Sequence, residues 1–261
     1  LDLDDAGAQA AMMRLGDQTL ELIQFETPGR PYPELRAAND PWFQHFAMAV
    51  SDMDLAFATL SRFAQTPISR GGPQRLAPST GGVTAYKFRD SDGHPLELSL
   101  APQSHWARVD ALARDRVTLG IDHSALAVAD FDASLRFYTH GLGLRLGPPL
   151  LNQGPAQARL DGLDDPVVDI ATLMTADPGP HLELLHYRKP KSLAAPRVLR
   201  PNDIAAVRLV MQTPDVERIA EQALAAGATT VSTRLVTTPT GRRLLLRDPD
   251  GHLLELFSSN A

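Results

Sequence analysis

One segment of this chain is written twice. Residues 88–98 read FRDSDGHPLEL and residues 246–256 read LRDPDGHLLEL, identical at eight of eleven positions at a constant offset of 158. Such a repeat means that one supersecondary unit has been built more than once. Two further segments resemble each other: AMMRLGDQTLELIQF, ending at Phe25, and ATLMTADPGPHLELLHY, ending at Tyr187. Each reads as strand, turn and second strand. The triplet Leu-Glu-Leu thus occurs around Glu21, Glu97, Glu183 and Glu255.

A second repeated unit precedes the later triplets. It starts at Trp42, Ile121 and Asp203, and each copy opens on a run of small and branched residues with strand character. An aspartate suited to cap a helix follows in each: Asp52, Asp130 and Asp215. Apolar residues at helical spacing come next, with Gly141 and Gly227 placed to end two of the helices. The order strand, helix, strand, strand, strand predicts four modules. By this alignment about 40 residues of the first module have no counterpart before Leu1. Proline-rich linkers, 28–40 and 188–203, both end in Asn-Asp. The segment 104–118 reads as an amphipathic connecting helix. The expected division is a first domain over 1–103 (module 1 remnant 1–27, module 2 40–101). A second domain follows over 119–261 (module 3 119–188, module 4 203–259), with consecutive modules paired.

Composition narrows the function. A formal net charge of −6 with scattered basic residues gives nucleic acid and anionic membranes no footprint. No apolar run reaches the roughly 18 residues of a membrane span. With no cysteine in the chain, a thiolate nucleophile, a disulfide framework and a thiolate-bound metal are excluded. A cytoplasmic location is the expectation.

The chemistry lies on strand faces. Alternate side chains of a strand share a side, so Leu96, Leu98 and Leu100 oppose Glu97 and Ser99, and Leu254 and Leu256 oppose Glu255. A carboxylate turned into a core needs a cation or hydrogen bonds to offset lost hydration; turned outward it needs only water, and alternation allows both. His45 and His123 hold equivalent places in their first strands. Imidazole with carboxylate suits divalent Fe, Mn, Zn or Ni without separating them. Aligning the two Asn-Asp pairs puts Arg208 where His45 stands, and a guanidinium pairs with a carboxylate rather than binding a metal. His94 and His252 read as turn residues. The Asp-Ser-Asp-Gly and Asp-Pro-Asp-Gly turns lack the ligand ladder of a calcium loop.

Paired βαβββ modules, a first-strand histidine and the RDxDGHxLEL ending resemble the vicinal oxygen chelate superfamily, which includes glyoxalase I, extradiol dioxygenases and the bleomycin resistance proteins. The resemblance implies an α+β fold of tandem βαβββ modules paired into two cup-shaped half-barrels, with the first module truncated at its N-terminus. It implies a divalent metal held by first-strand and last-strand residues. Glu21, His45 and Glu97 are then the expected metal ligands of a first cup, with Glu21 doubling as catalytic base. His123, Glu183, Arg208, Glu255 and Tyr187 are the expected substrate-binding groups of a second, degenerate cup. The implied activity is that of a glyoxalase- or dioxygenase-type metalloenzyme, dimeric, acting on a small substrate that chelates the metal through adjacent oxygens. The alternative is a metal-free protein that sequesters an aromatic or antibiotic-like ligand.

Overall fold

The computed structural model describes residues 7–102, 116–177, 179–193 and 199–260. Module 1 is a hairpin of β1 (Ala8–Leu15) and β2 (Gln18–Phe25). Module 2 contains β3 (Phe43–Val50), α1 (Met53–Leu60), the short β4 (Thr66–Pro67) and β5 (Gln74–Arg75), then β6 (Thr84–Arg89) and β7 (Pro95–Leu100). Module 3 contains β8 (Thr118–Ala127), α2 (Phe131–Arg136), β9 (Arg145–Leu146), β10 (Leu150–Gln153), α3 (Pro155–Asp161), β11 (Val167–Met174) and β12 (His181–Lys189). Module 4 contains β13 (Arg208–Gln212), α4 (Val216–Ala225), β14 (Thr229–Thr230), β15 (Val236–Thr238), β16 (Gly241–Arg247) and β17 (Leu253–Ser259). The connecting helix expected over 104–118 falls, up to residue 115, outside the described residues. Among the described residues no helix is long and apolar enough to cross a membrane.

Local chemistry repeats with the sequence. Asp52, Asp130 and Asp215 each accept a hydrogen bond from the backbone N–H three residues on, at 2.9, 3.0 and 3.0 Å, and so start α1, α2 and α4. The duplicated turn is built the same way twice. Asp90 Oδ1 accepts from the N–H groups of Asp92 and His94, and Asp248 Oδ1 from those of Asp250 and His252. Gly93 and Gly251 take φ of 91° and 93° there, which a side chain would disfavour.

The strand order corrects the expected pairing of modules. One sheet runs β10-β11-β12-β8-β3-β7-β6-β4, so module 2 is joined edge to edge with module 3, across the boundary drawn between 1–103 and 119–261. Its central ladder is the antiparallel pair β3–β8, with β7 parallel to β3 and β12 parallel to β8. A first strand has one ladder edge taken by the last strand of its own module. Its other edge needs a partner, and the two free edges satisfy each other. Modules 3 and 4 share a different contact. Leu126, Leu173 and Leu184 from the convex side of module 3 pack with Val216, Ala223, Leu246 and Leu254 of module 4 in one apolar core. Leu98 packs with Met53 and Ala56 of α1, so its strand face points to the helix as the alternation requires.

The linkers clasp each other. Asn39 Nδ2 donates to Pro190 O at 2.9 Å, and Asn202 Nδ2 to Thr27 O at 3.0 Å. The buried Asp203 carboxylate accepts from the Arg30 backbone N–H and guanidinium, both at 2.7 Å, and from the Arg200 N–H at 2.9 Å. Burial raises the Asp203 pKa, but the bonds from Arg30 and Arg200 outweigh it and hold the carboxyl below its usual range. A depressed pKa stabilises the fold above the unfolded value and is lost as pH falls through the folded one. Asp203→Asn is therefore expected to cost about 1–3 kcal/mol at neutral pH. Urea unfolding followed from pH 7 to pH 3 should show the variant losing less stability on acidification than the parent.

Candidate metal centre

The β3–β8 register assembles the site. His45 stands opposite Ala125 and Ala47 opposite His123. On the outer ladders Glu97 stands opposite Ala47 and Glu183 opposite Ala125. Two neighbouring rows result on the concave face: Glu97, Ala47, His123 and, antisymmetrically, His45, Ala125, Glu183. In each row a methyl separates imidazole from carboxylate, leaving their tips room to converge. Ala47 and Ala125 are fully buried under them.

Two β-bulges aim the imidazoles. The register slips at Gln44 and at Asp122, each immediately before a histidine. Gln44 Oε1 hydrogen-bonds His45 Nδ1, and Asp122 Oδ2 hydrogen-bonds His123 Nδ1 at 2.9 Å. Both rings are thereby fixed with Nε2 facing inward, the arrangement by which second ligands orient metal-binding histidines. The two Nε2 atoms lie 3.0 Å apart, and His45 Nε2 is 3.5 Å from Glu97 Oε2. One ligating atom each of His45, Glu97 and His123 falls within 4.8 Å of the others. Glu183 Oε2 is 3.7 Å from His123 Nε2, and its Oε1 is 3.5 Å from His181 Nε2. Nitrogens bound at about 2.0–2.1 Å to one ion at a right angle would lie roughly 3 Å apart, so this donor set fits a divalent metal.

Behind Glu97 sits a second buried layer. Lys87 Nζ is 2.7 Å from Asp161 Oδ1 and 3.9 Å from Glu97 Oε2. Asp161 is the last residue of α3, which reaches from module 3 onto the module 2 strands. Its Oδ2 also accepts from Gln157 Nε2 at 2.7 Å and from the Tyr187 hydroxyl at 3.1 Å. Gln44 Nε2 donates to Tyr187 at 3.1 Å, which closes the network back onto His45.

The charges follow from these contacts. Burial pushes Glu97 up to about 7, with Lys87 and His123 opposing it. Burial lowers His123, but Glu183, Asp122 and Glu97 outweigh that and raise it to about 9. His45 is driven well below its usual value by burial, Lys87 and His123. These opposite shifts favour His123 over His45 as the protonated partner of the Nε2–Nε2 contact.

The structure redistributes the residues picked from sequence. It brings His123 and Glu183 to His45 and Glu97, and separates Glu21 from them. Glu21 Oε2 is bound to Arg208 Nη2 at 2.5 Å, and Arg208 Nε reaches Glu255 Oε2 at 3.0 Å. Arg243 Nη1 binds the other Glu255 oxygen at 2.5 Å. The guanidinium of Arg208 thus pairs with Glu255, as its charge predicts, and modules 1 and 4 meet at a salt-bridged floor. Tyr187 belongs to the first cup, on Asp161 and Gln44. Gln44, Lys87, Asp122, Asp161 and His181 escaped the sequence reading. A polar residue directly before each equivalent histidine was the available signal for Gln44 and Asp122.

Metal ligation requires neutral imidazole and ionised carboxylate. At pH 7 metal uptake should therefore release a proton from His123 and a further fraction from Glu97, and affinity should rise towards pH 9. Calorimetry in buffers of different ionisation enthalpy reads the number directly. Lys87→Met strands the Asp161 charge and should cost about 3–5 kcal/mol in denaturant unfolding. Adding Asp161→Asn should recover much of that loss.

A family model for the Glyoxalase/Bleomycin resistance protein/Dioxygenase superfamily matches residues 120–256, just over half of the 261 residues. Among solved structures, glyoxalase I from Zea mays superposes with a TM-score of 0.65 at 19% identity, covering 98% of this chain and 81% of that one. A glyoxalase family protein from Bacillus cereus gives a TM-score of 0.53 at 22% identity, over 57% of this chain and 99% of that one. No curated protein matches. The structural likenesses establish a shared fold, and the family model places the chain within the Glyoxalase/Bleomycin resistance protein/Dioxygenase superfamily.

Proposed function

We propose that the chain is a metal-dependent enzyme of the glyoxalase type, with its centre between modules 2 and 3. The observation that carries this reading is the convergence of two inward Nε2 atoms with the Glu97 carboxylate, beside Glu183, on one buried face. His45, Glu97, His123 and Glu183 would hold a divalent ion. That ion supplies Lewis acidity toward two adjacent oxygens of a small substrate.

The two carboxylates differ in surroundings, which divides their work. Glu97 is 5% exposed and backed by Lys87. Glu183 is less enclosed, and among the described residues its ion-pair contacts are the imidazoles of His123 and the partly exposed His181, with Asp122 nearby. Burial raises the Glu183 pKa, but His123 and His181 outweigh it and keep the group ionised. Glu183 is thus suited to take a proton from the substrate carbon next to a carbonyl and return it to the neighbouring carbon. A set of two histidines and two carboxylates favours this isomerisation over oxygen chemistry.

Elemental analysis of the purified protein tests the centre. The expected result is one nickel, zinc, manganese or iron per chain, lost in His45→Ala. Glu183→Gln should retain a metal yet lower turnover of thiol adducts of 2-oxoaldehydes by about 10²-fold or more. A protein that takes up no divalent metal after reconstitution would overturn the proposal and favour a metal-free ligand-binding role.

A further inference from the structure

The same cup has an open end, and its chemistry differs from that of the metal centre. Arg89 lies two residues from Lys87 on β6 and so shares its inward face. Pro95, two residues from Glu97, stands opposite Arg89. Arg89 and Pro95, with Gln44, line a small cleft. The linker between modules 1 and 2 adds Tyr32, Arg36 and Asp40 to the wall, and module 2 adds Trp42.

The cleft carries more positive charge than its own residues neutralise. Among the described residues, Arg89 reaches only the Arg36 carbonyl, at 3.4 Å, by hydrogen bond. Arg36 lies over the Tyr32 ring, its Cζ 3.7 Å from the centroid. Among the described residues neither guanidinium has a carboxylate in ion-pair contact, though Asp90 acts on Arg36 and Asp40 on Arg89 from farther away. The one carboxylate in the wall, Asp40, is occupied elsewhere, by the Ala37 N–H at 2.8 Å and the Ser192 hydroxyl at 2.7 Å. Trp42 stacks on Tyr32 at 6.2 Å and 22°, and its buried indole N–H has no acceptor among the described residues.

We propose that this cleft is a binding site for a small organic acid, with the carboxylate on Arg36 and Arg89 and a flat or apolar body against Trp42 and Tyr32. Two guanidiniums with unused donors match a carboxylate. The paired aromatic rings supply an apolar wall for the rest of the molecule. Burial lowers the pKa of both arginines, and Arg36 lowers that of Arg89 further, while Tyr32 and Asp90 oppose the shift at Arg36 and Tyr32 and Asp40 that at Arg89. Gln44 lines this cleft and also hydrogen-bonds His45, which connects the cleft wall to the metal centre. Only the identification of that acid as the substrate rests on the metal-enzyme reading; binding itself does not.

Benzoate, with benzamide as its uncharged counterpart, is the probe. In metal-stripped protein carrying Trp106→Phe, Trp42 is the sole tryptophan and reports occupancy by fluorescence. Benzoate should quench it saturably and benzamide should not. Arg36→Gln and Arg89→Gln should each weaken benzoate by about tenfold or more, the loss of one charge-assisted contact. The lysine variants, which keep the charge, should bind more tightly than the glutamine ones and control for folding. Absence of saturable binding by fluorescence and calorimetry would overturn the proposal, as would equal affinity in parent and both glutamine variants. Benzoate binding without metal uptake would sink the metal centre and leave this site standing; metal uptake without benzoate binding would do the reverse.

Discussion

The antiparallel ladder between β3 and β8 is the contact on which the rest of the molecule turns. It sets His45 and His123 two residues apart on one face, and it places each module's last-strand glutamate beside the other module's histidine. A slip of one residue would turn one of the imidazoles to the convex side. The two bulges belong to the same device, because each inserts the residue that holds the following histidine by its Nδ1. The centre is thus shared by two modules, and neither contains it alone.

Around that ladder the pseudo-twofold relation is kept in backbone and broken in chemistry. Gln44 on one side corresponds to Asp122 on the other. Lys87 backs one glutamate, while His181 approaches the other. One half of the cup is consequently sealed and charge-paired beneath α3, and the other is more open. This asymmetry gives two equivalent-looking glutamates different availability to a substrate. The floor shared by modules 1 and 4 shows the further end of such divergence. There Arg208 and Arg243 neutralise Glu21 and Glu255 directly, and the cationic role falls to guanidinium groups.

The repeat made much of the fold legible. Module order, the three aspartate caps and the duplicated turn are local properties, set by residues within a few positions of one another. Alternation also set Glu97 on the face opposite Leu96 and Leu98, and charge gave Arg208 a carboxylate partner, but which face lies inward and which carboxylate pairs came from the tertiary structure. The ligand set was not legible in this way. Glu21, His45 and Glu97 are neighbours in sequence order, and grouping them assumed that consecutive modules share a cup. Lys87 and Asp161 were out of reach for a related reason: their pairing depends on α3 crossing from one module to the other.

What the sequence determined by itself is the unit: a βαβββ module, its repetition, and a set of acidic and imidazole side chains fixed to one face by the period of the strand. What the tertiary structure decided is which units meet. Strand periodicity specifies the two faces of a sheet but leaves the free edge of a first strand open to any complementary edge. That choice is made by long-range packing, where β8 takes the edge of β3 while modules 3 and 4 bury their convex faces together. The metal centre is a consequence of that choice.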